Sequence, residues 1–418
     1  MTGLLIMPRK FVEDKISRHL CHEGLDRILI YISLSLLCLG LVMVASASIT
    51  VADRDIGSPF YYFNRQLMAA ALGIVVVLVI ANIRLVHWEK SGIALLGFAF
   101  FLLILVLIPG IGKTVNGSTR WIPMGFLNLQ VSELVKLFLL VYVAGYLVRH
   151  GDEVRSSVWG FIKPMIMVGF ACVLLLLEPD FGASVVIMAT TLGMMFIGGV
   201  RFVQFLSFLA LFGAVASLLV VSSAYRLERL TTFVNPWADP FDKGFQLTQS
   251  LIAIGSGGLT GTGIGGSVQK LFYLPEAHTD FVFAIMAEEL GLIGVVFVIG
   301  LFAALLIRSF VLARNAEQNN NLFSAYLAYG IGIWLGLQAF INIGVNMGVL
   351  PTKGLTLPLM SYGGSSLIVC CAAIGLLLRI SYECGGAGQA MLRTRKKSSV
   401  AARKRKQQNM SSLWEDAA

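Results

Sequence analysis

Ten runs of mostly apolar residues divide this chain, at about 27 to 48, 66 to 83, 91 to 109, 131 to 148, 163 to 178, 182 to 199, 203 to 224, 281 to 307, 323 to 347 and 361 to 382. A run of about 18 such residues is long enough to cross a hydrocarbon core about 30 Å thick as a helix. The alternation of a barrel strand is absent, and backbone in lipid must satisfy its own hydrogen bonds. The expected fold class is therefore all-α, a polytopic membrane bundle of about ten helices. With 57% hydrophobic and 13% charged residues, an ordinary water-soluble domain is excluded.

Short loops rich in Lys and Arg stay in the cytoplasm. Placing the N-terminus inside puts 22 of the 32 Lys and Arg in cytoplasmic segments. Both termini are then expected in the cytoplasm, with a tail over 1–26, a membrane domain over 27–383 and a basic tail over 384–418. Much of the net charge of +9 is the stretch "RTRKKSSVAARKRK". It reads as a solvated tail near anionic membrane lipids, not as a nucleic-acid surface. The six cysteines, at 21, 38, 172, 370, 371 and 384, avoid the outside loops, so no disulfide framework is implied. The first apolar run follows a stretch of about 26 residues, several of them charged, and is long enough to span, which argues against a cleaved signal peptide.

Three segments on the expected outer side have room for chemistry: a loop at about 110 to 130, a larger one at 225 to 280, and "MGVLPTKGLTLPLMSYGGSS". In the second, "QLTQSLIAIGSGG" reads as a short amphipathic helix at the membrane surface, ended by glycines. The third has the Pro and Gly density of a broken or re-entrant entry to the last span. "GTGIGG" at 261 to 266 satisfies a nucleotide pattern literally, but no strand precedes it. Flexible backbone near a headgroup or sugar is the better use of those glycines.

Charged residues inside or beside apolar runs are the candidates for function. Glu133 and Lys136 are three apart and share a helix face, so they either pair or leave Lys136 to bind an anionic headgroup with Arg120. "EPDFG" reads as a tight turn between two spans, with Glu178 at its start and Asp180 as the cap of the next helix. "YLPEAHTDFVFAIMAEELG" gathers Glu276, His278, Asp280, Glu288 and Glu289, with Thr279 or Asp280 as a helix cap. In a continuous helix Glu288 and Glu289 lie about 12 to 13 Å beyond Asp280 and are turned about 80° and 180° from it. They are expected to brace the bundle, with Lys136, Arg120 and the polar residues of "SYGGSS" as candidate partners.

"NGSTRWI" followed by "SELVK", then "EPDFG", "NPWADPFDKGFQLTQSLIAIGSGGLTGTGIGGS", "KLFYLPEAHTDFVFAIMAEELGLIG" and "GVLPTKGLTLPLMSYGGSS" stand in the order of the SEDS family (shape, elongation, division and sporulation). The chain resembles that family over roughly 27 to 383, and its cell-division branch most closely. Val131 departs from the pattern, where the family usually has Pro after the Gln. The resemblance implies a peptidoglycan glycosyltransferase of the bacterial cytoplasmic (inner) membrane, polymerising lipid II on the outer side, at the division septum. It also implies a class B penicillin-binding protein and other division proteins as partners. On it, Asp280 corresponds to the family's proposed catalytic acid, Arg120 and Lys136 to its cationic positions, and Glu276 to a further implicated acid. His278, Ser361 and Tyr362, from the same matching pieces, join the substrate-binding set. A divalent cation, magnesium or manganese, is chemically admissible at the lipid diphosphate, although no metal-ligand cluster is visible. A lipid II flippase and a non-catalytic division scaffold are the alternatives. A transporter needs a midplane site open to both sides, whereas these residues gather at one face.

Overall fold

The computed structural model describes residues 25–115, 118–125, 127–223, 228, 231–242, 244–271, 274–351 and 354–385. Most of the two basic tails, and the Thr-Lys pair of "LPTKG", lie outside the described residues. The spans are α1 (Arg27–Ile56), α2 (Tyr61–Asn82), α3 (Leu85–Leu107), α4 (Val131–Arg149), α6 (Val158–Leu177), α7 (Phe181–Ile197), α8 (Phe202–Val221), α10 (Val282–Gln318), α11 (Leu322–Asn346) and α12 (Gly364–Cys384). Two shorter helices are α5 (Gly151–Ser156) and α9 (Phe245–Ser256). Nine of the spans are long and apolar enough to cross a bilayer, and α7 is a tenth, shorter apolar helix. The all-α membrane bundle expected from hydropathy is the fold observed.

Local signals set several boundaries. Asp26 caps α1 by accepting from Leu29 N at 3.1 Å, and Gly57 ends it with φ 70°. Asp180 caps α7 by accepting from Ala183 N at 3.1 Å. At the end of the bundle where α1 begins, a buried Arg308 donates to Asp26 at 2.6 Å. At that same end, Arg379 pairs with Glu383, which also accepts from Leu85 N.

Burial grades across the bundle. α4 and α12 are mostly buried, α11 largely so, while α8 has no buried residue. α8 touches its neighbours through aromatic edges, with Phe208 on Phe161 and Phe205 on Phe196. The core is therefore centred on α4, α11, α12 and the start of α10.

Two features depart from a simple bundle. The first outer loop contains an antiparallel sheet, β1 (Lys113–Val115), β2 (Ser118–Met124) and β3 (Leu127–Gln130), ordered β1-β2-β3 and running directly into α4. Pro123 lies in the middle strand beyond the reach of β1 and pairs with Asn128 of β3, so that stretch of β2 has a partner on one side only.

The second is a break in α10 at Gly291, with φ 63° and ψ −164°. Only glycine adopts that conformation readily. The glycine-rich stretch fills the break: Thr262 N and Gly263 N donate to the Glu288 and Glu289 carbonyls, and Leu292 N and Ile293 N donate to those of Gly258 and Leu259. A Cβ on Gly261 would collide with the Glu289 carbonyl, and one on Gly291 with Gly261 N. Gly258, Gly261, Gly263 and Gly291 thus serve a backbone splice. α9, read as amphipathic, packs one face on protein through buried Leu247, Thr248, Ser250 and Ala253 and leaves Ile252 exposed.

Candidate active site

Residues 354–357 have no regular secondary structure, a turn then leads to α12, and Leu355, Leu357, Leu359 and Met360 are buried. The entry to α12 is broken, one of the two forms read from Pro and Gly density. Gly40 on α1 permits it, since a Cβ there would lie 2.6 Å from Met360 Cα. Ser361 holds the turn, its hydroxyl accepting from Leu357 N at 2.8 Å.

Along one face of α11, four residues apart, run Trp334, Gln338, Asn342 and Asn346, all buried. This stripe organises the site. Lys136 Nζ donates to Glu133 at 2.9 Å and to Gln338 Oε1 at 2.8 Å, with the Trp334 ring centroid 5.3 Å away. Gln338 Nε2 donates to the Thr356 carbonyl at 2.9 Å. Asn342 Nδ2 donates to the carbonyls of Leu355, at 2.6 Å, and Asp280, at 2.9 Å. Asn346 Nδ2 donates to the same Asp280 carbonyl at 3.0 Å, and its Oδ1 accepts from Ala284 N at 3.2 Å. The side chain that caps the start of α10 is thus Asn346 of another helix, not the expected Thr279 or Asp280.

Asp280 is half-buried, and a Cβ on Gly354 would lie 3.1 Å from its Oδ2. The turn before it is tightly held. Glu276, with φ 56°, accepts at its carbonyl from Thr279 N and Phe281 N, and at its carboxylate from Thr279 Oγ1 at 2.7 Å. Left-handed backbone at a non-glycine residue costs energy and tends to occur at functional sites. His278 lies 4.6 Å from the Tyr62 ring and 5.4 Å from that of Tyr362, and its carbonyl accepts from Tyr362 N at 2.9 Å. Burial pushes the His278 imidazole pKa below its usual value, with Glu276 opposing.

Arg120 does not join Lys136. From β2 it donates to the carbonyl of Pro179, to Ser118 Oγ at 3.0 Å and to the Glu178 carbonyl at 3.4 Å, with Asp180 Oδ1 at 3.8 Å. It clamps the turn between α6 and α7. That turn still adjoins the site, because a Cβ on Gly182 would touch Leu355, whose carbonyl Asn342 holds. Glu178 is fully buried and neither carboxyl oxygen has a protein partner. Burial first, then Asp180, raises its pKa from 4.5 to about 8, with Arg120 opposing.

The inner acids take partners other than Lys136, Arg120 or the "SYGGSS" residues. Glu288 accepts from Ser267 Oγ and from Val268 N. Glu289 accepts from Lys270 Nζ at 2.9 Å and Ser46 Oγ at 2.6 Å. Lys270, at the far end of the glycine-rich stretch, was not singled out in the sequence, because its partners on α1 and α10 are brought to it only by the fold. The α11 stripe did carry a local signal, amides at four-residue spacing inside an apolar run.

Such a fold and site define a class: a multi-pass membrane protein with acids and cations fixed at one end of the bundle around a buried segment without regular secondary structure. The family model for the cell cycle proteins FtsW, RodA and SpoVE matches residues 26–385, and the chain belongs to this family. A probable peptidoglycan glycosyltransferase FtsW of Thioalkalivibrio sulfidiphilus is 58% identical over 361 residues, 86% of this chain and 90% of that relative. One of Coxiella burnetii is 56% identical over 358 residues, covering 86% and 96%. Among solved structures, a chain of a peptidoglycan synthase complex that coordinates polymerization and crosslinking aligns with TM-score 0.71 at 33% identity, covering 87% of this chain and 99% of that one. Thermus thermophilus RodA aligns with TM-score 0.65 at 30% identity, covering 86% and 97%.

Proposed function

We infer that this chain is a peptidoglycan glycosyltransferase that polymerises lipid II at the outer face of the bacterial cytoplasmic membrane, during septal wall synthesis. The identity to probable FtsW glycosyltransferases supports the reaction class. The observation that carries the chemistry is that one acid, Asp280, and one buried cation, Lys136, are tied to the same polar edge of α11.

In this reading the acceptor's GlcNAc 4-hydroxyl passes its proton to the Asp280 carboxylate. Its oxygen bonds to the donor's MurNAc anomeric carbon, and the bond from that carbon to undecaprenyl diphosphate breaks with inversion. Lys136 and Arg120 stabilise the charge growing on the departing diphosphate. Arg120 would exchange the Pro179 carbonyl for phosphate oxygens, and Lys136 would offer them its remaining ammonium hydrogen while still holding Gln338. Glu276, His278 and Tyr362 line the mouth beside Asp280, where sugars would lie.

Among the described residues no three His, Cys, Asp or Glu side chains converge as metal ligands. A magnesium or manganese ion, if one takes part, would add positive charge at the diphosphate beside Arg120 and Lys136. The outer orientation follows from the distribution of Lys and Arg, with both termini inside. A class B penicillin-binding protein is the partner we propose for crosslinking, in keeping with the similarity to a chain of a peptidoglycan synthase complex.

The test is lipid II polymerisation by the reconstituted protein, with and without its transpeptidase partner. Asp280→Asn should make no glycan while remaining folded and binding lipid II. Wild-type polymer from that variant would remove Asp280 from the mechanism. ATP-independent transfer of lipid II between leaflets, unaffected by Asp280→Asn, would favour the flippase alternative.

A further inference from the structure

A general base must meet its proton within hydrogen-bond distance, so what fixes Asp280 matters as much as its charge. Asp280 sits at the junction between a strained turn and the start of α10, where no regular secondary structure holds it. Its main-chain carbonyl nevertheless accepts two buried amide donors, Asn342 Nδ2 at 2.9 Å and Asn346 Nδ2 at 3.0 Å. Both donor hydrogens of each amide are used, the second by the Leu355 carbonyl for Asn342 and by the Asn342 carbonyl for Asn346. Asn346 also caps Ala284 N, so the first turn of α10 is fixed to the same two side chains.

We propose that Asn342 and Asn346 are positioning residues for Asp280, fixing its main chain so that its carboxylate stays against Gly354 at a set distance from Lys136. The proposal rests on the reading of Asp280 as the base. The Asp280 carbonyl and the Leu355 carbonyl hang from one amide, and the next amide up the stripe, Gln338, holds Thr356 and Lys136. Residues 354–357 thereby act as a ruler between the base and the cation. α11 is a continuous helix over this stretch, so the spacing is set by a rigid element, not by a loop.

Removing the Asn342 amide frees the Asp280 carbonyl on one side and leaves that of Leu355 without this partner. A misplacement of about 1 Å at a reacting group can cost about 10²-fold in rate. The experiment compares the full chain, reconstituted in vesicles with its transpeptidase partner, as wild type, Asn342→Ala, Asn346→Ala and Asp280→Asn. It measures kcat and KM for lipid II polymerisation, lipid II binding, and thermal unfolding.

The expected result is a fall in kcat of about 10²-fold for Asn342→Ala and a smaller one for Asn346→Ala, which spares the Leu355 contact. KM and lipid II affinity should stay at wild-type values. If Asn342→Ala fails to fold, Asn346→Ala carries the same comparison. Wild-type kcat in a folded asparagine variant, with Asp280→Asn inactive, overturns the positioning role and leaves the base intact. A rise in KM that accounts for the whole loss also overturns it, since the amides would then serve binding. Wild-type turnover by Asp280→Asn removes the base, and with it the proposal.

Discussion

Lys270→Met should unlatch the glycine-rich segment from the bundle. Lys270 Nζ lies 2.9 Å from Glu289 Oε1 and 3.0 Å from Ser46 Oγ, and both members of the ion pair are buried. At that separation the Coulomb attraction is about 6 kcal/mol for an effective dielectric constant of about 20. Desolvation offsets much of it, so the net worth of the pair is far smaller than this. Truncation of one partner is another matter. Glu289 would keep only the Ser46 hydroxyl, because its Oε2 already has no protein partner, and a stranded buried charge costs about 3 to 5 kcal/mol. Lys270→Met/Glu289→Met removes both charges and should recover most of that loss, giving a coupling of about 2 to 4 kcal/mol. The assay is reversible unfolding in detergent or bicelles for wild type, both single variants and the double. Additive losses would show that Lys270 and Glu289 do not interact. A Lys270→Met variant within about 1 kcal/mol of wild type would place Glu289 in contact with water.

Gly291→Ala should cost about 3 kcal/mol or more, from backbone strain and collision with Gly261 N; an unchanged melting temperature would mean the helix is not broken there. Gly354→Ala should slow polymerisation without unfolding the protein, because the new methyl crowds Asp280 Oδ2 at 3.1 Å on an exposed residue; a wild-type rate would place the carboxylate elsewhere. Glu178 holds a proton in the folded chain that the unfolded chain releases, so its stabilising effect is complete below pH 4.5 and is lost as pH rises through about 8. The melting temperature of wild type relative to Glu178→Gln should therefore fall across that window and level off above it, and a pH-independent difference would indicate an ionised carboxylate throughout.

Much of the bundle was legible because lipid imposes a simple length rule, and α4, α6 and α11 lie within a few residues of the runs that announced them. Local pairs were equally readable. The Glu133–Lys136 pair and the Asp180 cap each span three residues, so helix geometry alone brings them together. The break at Gly291 was not legible, since hydropathy carries no information about φ and the run from 281 to 307 continues as apolar residues on both sides of Glu288 and Glu289. The sheet was hidden by Pro123, which usually argues against a strand. Partners of the inner acids were out of reach for a different reason. Ser46 is 243 residues from Glu289, and no local pattern encodes a contact of that range. The contact of Arg120 with the turn between α6 and α7 was likewise out of reach, because its acceptors are backbone carbonyls about 60 residues away, which no side-chain pattern announces.

α8 has an unusual relation to the rest of the chain. None of its residues is buried, and its protein contacts are a few aromatic edges. A lipid surrounding is indifferent to the order of side chains and sensitive only to their hydrophobicity and the length of the segment. Within this chain the packing therefore constrains the composition of α8 and the individual positions of α4 and α11. Trading one hydrophobic side chain for another within 202 to 221 disturbs fewer neighbours than the same exchange in α4 or α11.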